Sequence, residues 1–244
     1  MDKTAQLQQM ISTAKRIVFF GGAGVSTASG IPDFRSGDGL YAKAFEGLTA
    51  EMMLSQSFFY LHPDVFYRFY RAYMVHPEAK PNAAHRRLAQ LERMGKLAGL
   101  VTQNIDGLHR QAGNKLVYEL HGSVHENHCL ECGRFYGLDY ILSAEGVPKC
   151  ESCGGVVKPS VVLYGEGLDH YVSTGACREI SRCDTLIVAG TSLTVEPAAS
   201  FLSYFRGCSR SLVVINKEET PADSRATLVL RGDAAEILDA IRVG

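Results

Sequence analysis

The sequence predicts an α/β fold, a doubly wound parallel sheet covered by helices on both faces. Three features carry that expectation: short unbroken apolar runs, amphipathic helical patterns alternating with them, and a glycine turn where the first run ends. Leu7, Met10, Ile11 and Ala14 recur at the spacing of one helix face, which predicts a helix over 4–15. Ile17-Val18-Phe19-Phe20 then stops at Gly21-Gly22, as a buried strand does. Further strands are expected at 99–102, 185–189, 212–215 and 227–230, with shorter ones at 116–119 and 160–164. Helices are expected between them over 83–94, 170–182, 197–205 and 234–241, the last on the register of Ala234, Ile237, Leu238 and Ile241.

Two stretches break this rhythm. Residues 38–80 are rich in Phe, Tyr and Met at helical spacing, and residues 126–157 carry two cysteine pairs with little apolar periodicity. Both read as insertions forming a smaller lobe beside a sheet domain made of 1–37, 81–125 and 158–244.

The chain has 244 residues, against roughly 150 for an average domain, and is long enough to bury a sizeable core. Its 25 Lys+Arg balance 26 Asp+Glu, which argues against non-specific phosphate binding and against direct contact with nucleic acid. Residues 1–10 hold no apolar leader core, and no run of about 18 apolar residues occurs. The expectation is a cytoplasmic monomer without membrane contact. Seven cysteines in such a chain point to metal or thiol chemistry before disulfides.

Gly22-Ala23-Gly24-Val25-Ser26-Thr27 follows the first strand. Glycines there permit a tight turn and let backbone N–H groups approach a pyrophosphate, as in a Rossmann-like dinucleotide site. Thr27 stands where the third glycine or alanine of that fingerprint belongs, and no acidic residue ends a second strand about 20 residues on. Both departures disfavour a hydride-transferring dehydrogenase, and a turn without ligand stays open.

Cys129-x2-Cys132-x17-Cys150-x2-Cys153 has the spacing of a zinc ribbon, in which two knuckles supply four thiolates. A closed tetrahedron leaves no position for water, so the expected Zn2+ is structural. His125 and His128 adjoin the first knuckle, but the four thiolates already fill the metal's sphere. Arg134, Lys149 and Lys158 are outnumbered here by Glu126, Glu131, Asp139, Glu145 and Glu151, which argues against a nucleic-acid ribbon. Cys177, Cys183 and Cys208 read as plain core or surface cysteines.

His121 ends the strand expected at 116–119, and Gln103, Asn104 and Asp106 follow the strand at 99–102. Residues at the C-terminal ends of strands in such a sheet face the ligand crevice, so these four are candidate site residues. His62, His76, His85 and His170 read as structural.

Read together, these motifs resemble the sirtuins, NAD-dependent protein-lysine deacylases. The resemblance rests on Gly22-Ala23-Gly24-Val25-Ser26-Thr27-Ala28-Ser29-Gly30-Ile31-Pro32-Asp33-Phe34-Arg35, then Thr102-Gln103-Asn104-Ile105-Asp106-Gly107-Leu108-His109 and Leu120-His121-Gly122-Ser123. It continues through the cysteine pairs, Gly190-Thr191-Ser192-Leu193 and Val214-Ile215-Asn216, from about residue 17 to 234, and the small bacterial-type members are nearest.

The resemblance implies that NAD is consumed: nicotinamide leaves, and the acyl group of acyl-lysine passes to ADP-ribose. It implies His121 as general base, Asn104 orienting ribose or water, and Asp106 with Ile105 on the carboxamide. Gln103 would bind ribose, Phe34 would shield the reactive carbon, and Arg35 would position the phosphate–ribose segment. Gly22, Ala23, Gly24, Ser26, Thr27, Gly190, Thr191, Ser192, Asn216, Lys217, Asp233 and Ala234 match positions around the phosphates and adenosine. Without the family, Gly190-Thr191-Ser192 is equally another strand-to-helix turn.

Val161-Val162-Leu163-Tyr164-Gly165 matches the segment that pairs with the substrate peptide, and read alone it is an ordinary buried strand beginning after Pro159. Many members carry two aromatics where Leu163-Tyr164 stands. Members that remove acidic acyl groups carry Tyr-x-x-Arg in the helical insertion; here the matching run is Tyr70-Arg71-Ala72-Tyr73, so neutral groups, acetyl first, are expected. Two other functions stay open: a protein ADP-ribosyltransferase using the same site, and a non-catalytic NAD or ADP-ribose sensor.

Overall fold

The computed structural model of the chain describes residues 2–34, 39–42 and 45–242. In chain order the strands are β1 (Ile17–Gly21), β2 (Leu97–Thr102), β3 (Val117–Glu119), β4 (Gly122–Cys129), β5 (Phe135–Tyr136), β6 (Val157–Val161), β7 (Thr185–Ala189), β8 (Ser211–Asn216) and β9 (Leu228–Arg231). The α-helices are α1 (Lys3–Thr13), α2 (Ala50–Met53), α3 (Gln56–Leu61), α4 (Pro63–Phe69), α5 (Ala83–Arg93), α6 (Leu108–Gln111), α7 (Leu138–Ser143), α8 (His170–Arg182) and α9 (Ala234–Asp239). Among the described residues, no helix is long and apolar enough to cross a membrane.

Six parallel strands form the main sheet in the order β3-β2-β1-β7-β8-β9, the doubly wound arrangement the alternation predicts. Strand pleating assigns its side chains. Ile17 and Phe19 join Leu7 of α1, Leu88 of α5 and Leu238 of α9 in one core, while Val18 and Phe20 join Ile180 of α8 and Phe201 in the other. All four β1 side chains have 0% exposure, each burial contributing roughly 1.5–3 kcal/mol. That is why the run reads as continuously apolar and not alternating.

Two elements depart from expectation. The segment at 197–205 is a 3-10 helix over Ala198–Tyr204. Ser200 Oγ donates to the Pro197 carbonyl at 2.6 Å, and the Ser200 N–H donates to the same oxygen, which tightens the turn. The strand expected at 160–164 is instead β6 at 157–161; it contains Pro159 and lies antiparallel to β4 in a separate three-stranded sheet, β5-β4-β6. A proline is tolerated there because β6 is an edge strand, whose outward side needs no N–H.

The helices of the 38–80 stretch and the cysteine-bearing sheet share one core. Phe59, Phe66, Tyr67, Phe69 and Tyr70 pack with Val124, Tyr136, Ile141, Val157 and Leu163. The aromatic rings meet largely edge to face, as between Phe59 and Phe66 at 4.9 Å and 88°.

The ends of β1 and β7 approach so closely that only glycine fits. A Cβ on Gly190 would lie 2.5 Å from Val25 N and 2.6 Å from Gly24 C, and Gly190 has φ +60°. Left-handed backbone alone costs a non-glycine residue about 1–2 kcal/mol. Gly190→Ala is therefore expected to remove about 2 kcal/mol or more and lower Tm by about 4–8 °C. Gly95→Ala is the control: its φ is +71° with nothing within 4 Å, so it pays the backbone cost alone. Thermal unfolding of the two variants checks this, and equal shifts would remove the close approach as a cause.

Candidate active site

The C-terminal ends of β1, β2, β7 and β8 open onto a cleft of about 670 Å³. Its floor is the β1–β7 junction: Gly22 N–H donates to Ala189 O at 3.1 Å, and Gly24 N–H donates to Gly190 O at 2.9 Å. Ala23, Thr27, Thr191 and Ser192 line it beside these glycines, and Asn216, Lys217 and Ala234 line its far end. Gln103 is drawn in twice, its N–H donating to Gly21 O at 3.0 Å and its Nε2 to Thr191 Oγ1 at 2.9 Å.

A second cavity of about 340 Å³ adjoins the first, and Ala23, Phe34, Asn104 and Ile105 line both. Ser26 and Asp106 line the second. Asn104 Nδ2 donates to Ser26 Oγ at 3.0 Å, and the Ser26 hydroxyl donates to Asp106 Oδ2 at 2.6 Å. The other Asp106 oxygen accepts the Leu108 N–H at 2.9 Å. The carboxylate is thus held from both sides with its plane fixed. His125 Nε2 donates to the Asp106 carbonyl at 3.1 Å.

His121 follows β3 and faces the large cleft. Its ring meets the Gln103 carbonyl through Nδ1 at 3.0 Å, and its own carbonyl accepts the Val162 N–H at 3.0 Å. A carbonyl only accepts, so Nδ1 carries the proton and Nε2 keeps a lone pair. Burial holds the imidazole below its ordinary range, with the Gln103 bond opposing the shift only in part. The ring is therefore neutral at pH 7.

The segment after β6 is a turn, not a strand. Leu163 N–H donates to Glu166 Oε2 at 2.9 Å, while Tyr164 N–H donates to Leu54 O at 2.9 Å and Tyr164 O accepts from Gln56 N–H at 2.9 Å. Lys158 Nζ closes the turn on Glu166 Oε2 at 3.1 Å. Val161, Val162, Leu163, Tyr164 and Gly165 all line the cleft.

The four cysteines converge: Cys129 and Cys153 Sγ lie 3.4 Å apart, Cys132 and Cys150 Sγ 3.6 Å, and all four within 4.8 Å. Zinc–sulfur bonds of about 2.3 Å in a tetrahedron need S···S edges of about 3.8 Å, so the thiols fit Zn2+ nearly as they stand. The Tyr136 hydroxyl donates to Cys150 Sγ at 3.1 Å and holds that thiol down to about 6, which favours a thiolate ligand. His128 turns away, its Nδ1 on Ser160 Oγ at 2.9 Å.

Most of the sequence-derived site residues therefore gather on one of two adjoining cavities. Arg35 lies outside the described residues. Asp233 lines neither cavity; it caps α9 through the Ala235 N–H at 2.8 Å and pairs with Lys217 at 3.0 Å. Tyr41, Leu54, Met74, Val195 and Glu196 also line the large cleft and escaped the sequence reading. For Tyr41, Leu54 and Met74 the one signal was the surplus of Phe, Tyr and Met across 38–80; Val195 and Glu196 had none. Arg71, in the run compared with Tyr-x-x-Arg, donates to Ile141 O at 2.8 Å and Gly146 O at 2.7 Å.

The model of the Sir2 family matches residues 22–197. A Clostridium perfringens protein named NAD-dependent protein deacetylase is 54% identical, covering 97% of each chain. A solved Sir2 complex with deacetylated p53 peptide and 3′-O-acetyl ADP ribose superposes with a TM-score of 0.90 at 38% identity, over 98% of this chain and 97% of that one. A Sir2 complex with p53 peptide and NAD+ gives 0.85 at 38% identity, over 98% and 96%. The likeness extends over nearly the whole chain in sequence and in fold, and the chain belongs to the Sir2 family.

Proposed function

We propose that this protein is an NAD-dependent protein-lysine deacetylase, transferring the acyl group of acyl-lysine to ADP-ribose with release of nicotinamide. The observation that carries the reading is His121: a neutral, half-buried imidazole on the cleft, with Nδ1–H spent on the Gln103 carbonyl and Nε2 left as the base. As substrate, NAD supplies an electrophilic ribose carbon whose leaving group is nicotinamide. The pyrophosphate would lie over the Gly22–Gly24 turn and the backbone around Gly190, Thr191 and Ser192. Asn216, Lys217 and Ala234 would bound the adenosine end, with Asp233 acting through Lys217.

Asp106 and Ile105 would take the nicotinamide carboxamide in the smaller cavity. There the Ser26 and Leu108 donors fix the Asp106 carboxylate before the ligand arrives. Asn104 would orient the ribose or water, and Phe34, at the junction of the cavities, would exclude water from the reacting carbon. The acyl-lysine would enter along Val161, Val162, Leu163, Tyr164 and Gly165. His121 would then remove a proton from a ribose hydroxyl. Cys129, Cys132, Cys150 and Cys153 would hold a structural Zn2+ remote from that step. Seven free thiols among the described residues suit a reducing compartment, and the cytoplasm is the proposed location.

Incubation with NAD and an acetyl-lysine peptide, followed by mass spectrometry, is expected to yield O-acetyl-ADP-ribose and free lysine. His121→Ala should lower kcat by about 10²–10⁴-fold while ADP-ribose and peptide still bind. Because burial lowers the His121 pKa, the base stays neutral below the ordinary imidazole range. The acid limb of kcat/KM should therefore fall below about pH 6.5. A limb above 7 would contradict the half-buried neutral ring.

Metal analysis should find one zinc per chain. Chelation or Cys150→Ser should lower the melting temperature, since structural zinc contributes on the order of 10 kcal/mol at neutral pH. A folded, active, zinc-free protein would contradict the assignment.

Acyl preference follows from Tyr73, which stands where the Tyr-x-x-Arg run carries its arginine; nearby Arg71 spends its guanidinium on backbone carbonyls, so neither offers a bidentate partner to an acidic acyl group. Succinyl-lysine peptide should be turned over at least about tenfold more slowly than acetyl-lysine peptide, the cost of one unpaired buried carboxylate. Paired rate measurements test this.

A further inference from the structure

We propose that Tyr41 and Tyr164 form a hydroxyl clasp across the cleft, coupling the wall that carries Phe34 to the wall along which acyl-lysine enters. The inference rests on the deacetylase reading for the identity of the two ligands. The clasp is a hydrogen bond between the two phenolic oxygens, from residues 123 apart in sequence. Both side chains line the large cleft.

Each partner is held by its own set of backbone hydrogen bonds. Tyr41 belongs to the short 3-10 turn Leu40–Ala42, which is folded back on its own loop by Leu40 N–H to Asp33 O and Tyr41 N–H to Phe34 O, both 2.9 Å. Its ring packs on Phe34 at 5.6 Å, so Tyr41 and Phe34 move as a unit. Tyr164 is bound through its main chain to Leu54 and Gln56, beside the Ser55–Tyr164 bridge. Its turn is further held by Lys158 and Glu166. The hydroxyl bond therefore ties the Phe34 loop to the turn after β6, both of which pack on the core of the small lobe.

Apolar side chains line the same cleft, among them Phe34, Leu54, Met74 and Leu163. Such packing is non-directional and tolerates sliding, whereas a hydrogen bond weakens steeply with angle and distance. The clasp is thus a directional contact between these walls. A ligand that fixes either wall places that wall's hydroxyl for the other, which lowers the ordering cost of the second ligand. Tyr41 and Tyr164 act here as positioning residues, at a distance from the bond-making atoms.

The test compares wild type, Tyr41→Phe, Tyr164→Phe and the double variant, all of which keep the rings. ADP-ribose affinity is measured by calorimetry with and without acetylated peptide, together with steady-state KM for NAD and for peptide. In wild type, peptide should tighten ADP-ribose by roughly two- to tenfold, the reach of one neutral hydrogen bond. By linkage, ADP-ribose should tighten peptide by the same factor. Either single substitution should abolish the enhancement and raise both KM values more than it lowers kcat, and the double should be no worse than either single. Persistence of the wild-type enhancement in the single variants, or multiplicative losses in the double, would overturn the clasp while leaving the deacetylase reading intact. A wild-type protein that binds ADP-ribose yet never deacetylates the peptide would overturn the deacetylase reading, and the clasp with it.

Discussion

The contact between the ends of β1 and β7 is the constraint on which the site depends. Gly22, Gly24 and Gly190 bring two backbones within hydrogen-bond range, and any Cβ at Gly190 would collide with main-chain atoms. This is the point where the sheet's winding reverses, so the strands diverge into opposite helical layers and leave a crevice above the junction. Gln103 crosses the crevice to Thr191, and the carbonyl of that same Gln103 fixes the His121 ring. The imidazole is thus positioned by a strand end, which is positioned by a glycine contact. No surface loop intervenes.

The second wall is built on different physics. It comes from the helical insertion and from the turn after β6, whose shared core is aromatic and is closed at one end by the thiol cluster. Edge-to-face ring pairs contribute about 0.5–1.5 kcal/mol each beyond their burial, while a zinc ion in four thiolates contributes on the order of 10 kcal/mol. The metal outweighs any ring pair. A zinc ion in the thiol cluster would add to this packing at one end of the lobe, away from the cleft.

The sheet was legible because buried parallel strands are short, apolar and punctuated by glycine. Ile17–Phe20, Thr185–Ala189 and the His170–Arg182 helix emerge where the periodicity puts them. His121, Asn104 and Asp106 were legible because strand ends in this topology face one crevice. The turn at 162–165 was not. Val161-Val162-Leu163-Tyr164 has strand-like composition, but Glu166 and Leu54 capture its backbone groups, and no local pattern encodes those partners. Pro159 misled for a related reason: it reads as a strand boundary unless the strand lies at an edge. Tyr41, Leu54 and Met74 stayed hidden because their place on the cleft depends on how the insertion folds back, which apolar residues do not advertise.

Fixed and adaptable parts of the cleft therefore divide between its walls. Ser26, Gln103, Asn104, Asp106 and His121 each spend at least one polar atom on another polar group, so their orientations are set before a ligand arrives. Transition-state electrostatics profit most from groups that need no reorganisation. The facing wall presents mainly the apolar side chains of Leu54, Met74 and Leu163. Hydrophobic pockets discriminate weakly, by roughly 10–200-fold per methylene, so changes there retune acyl preference without touching the proton chemistry. A polar error on the first wall would leave a buried donor or acceptor unpaired and disable the base. On the second, a change of side-chain volume would only shift which neutral acyl group fits.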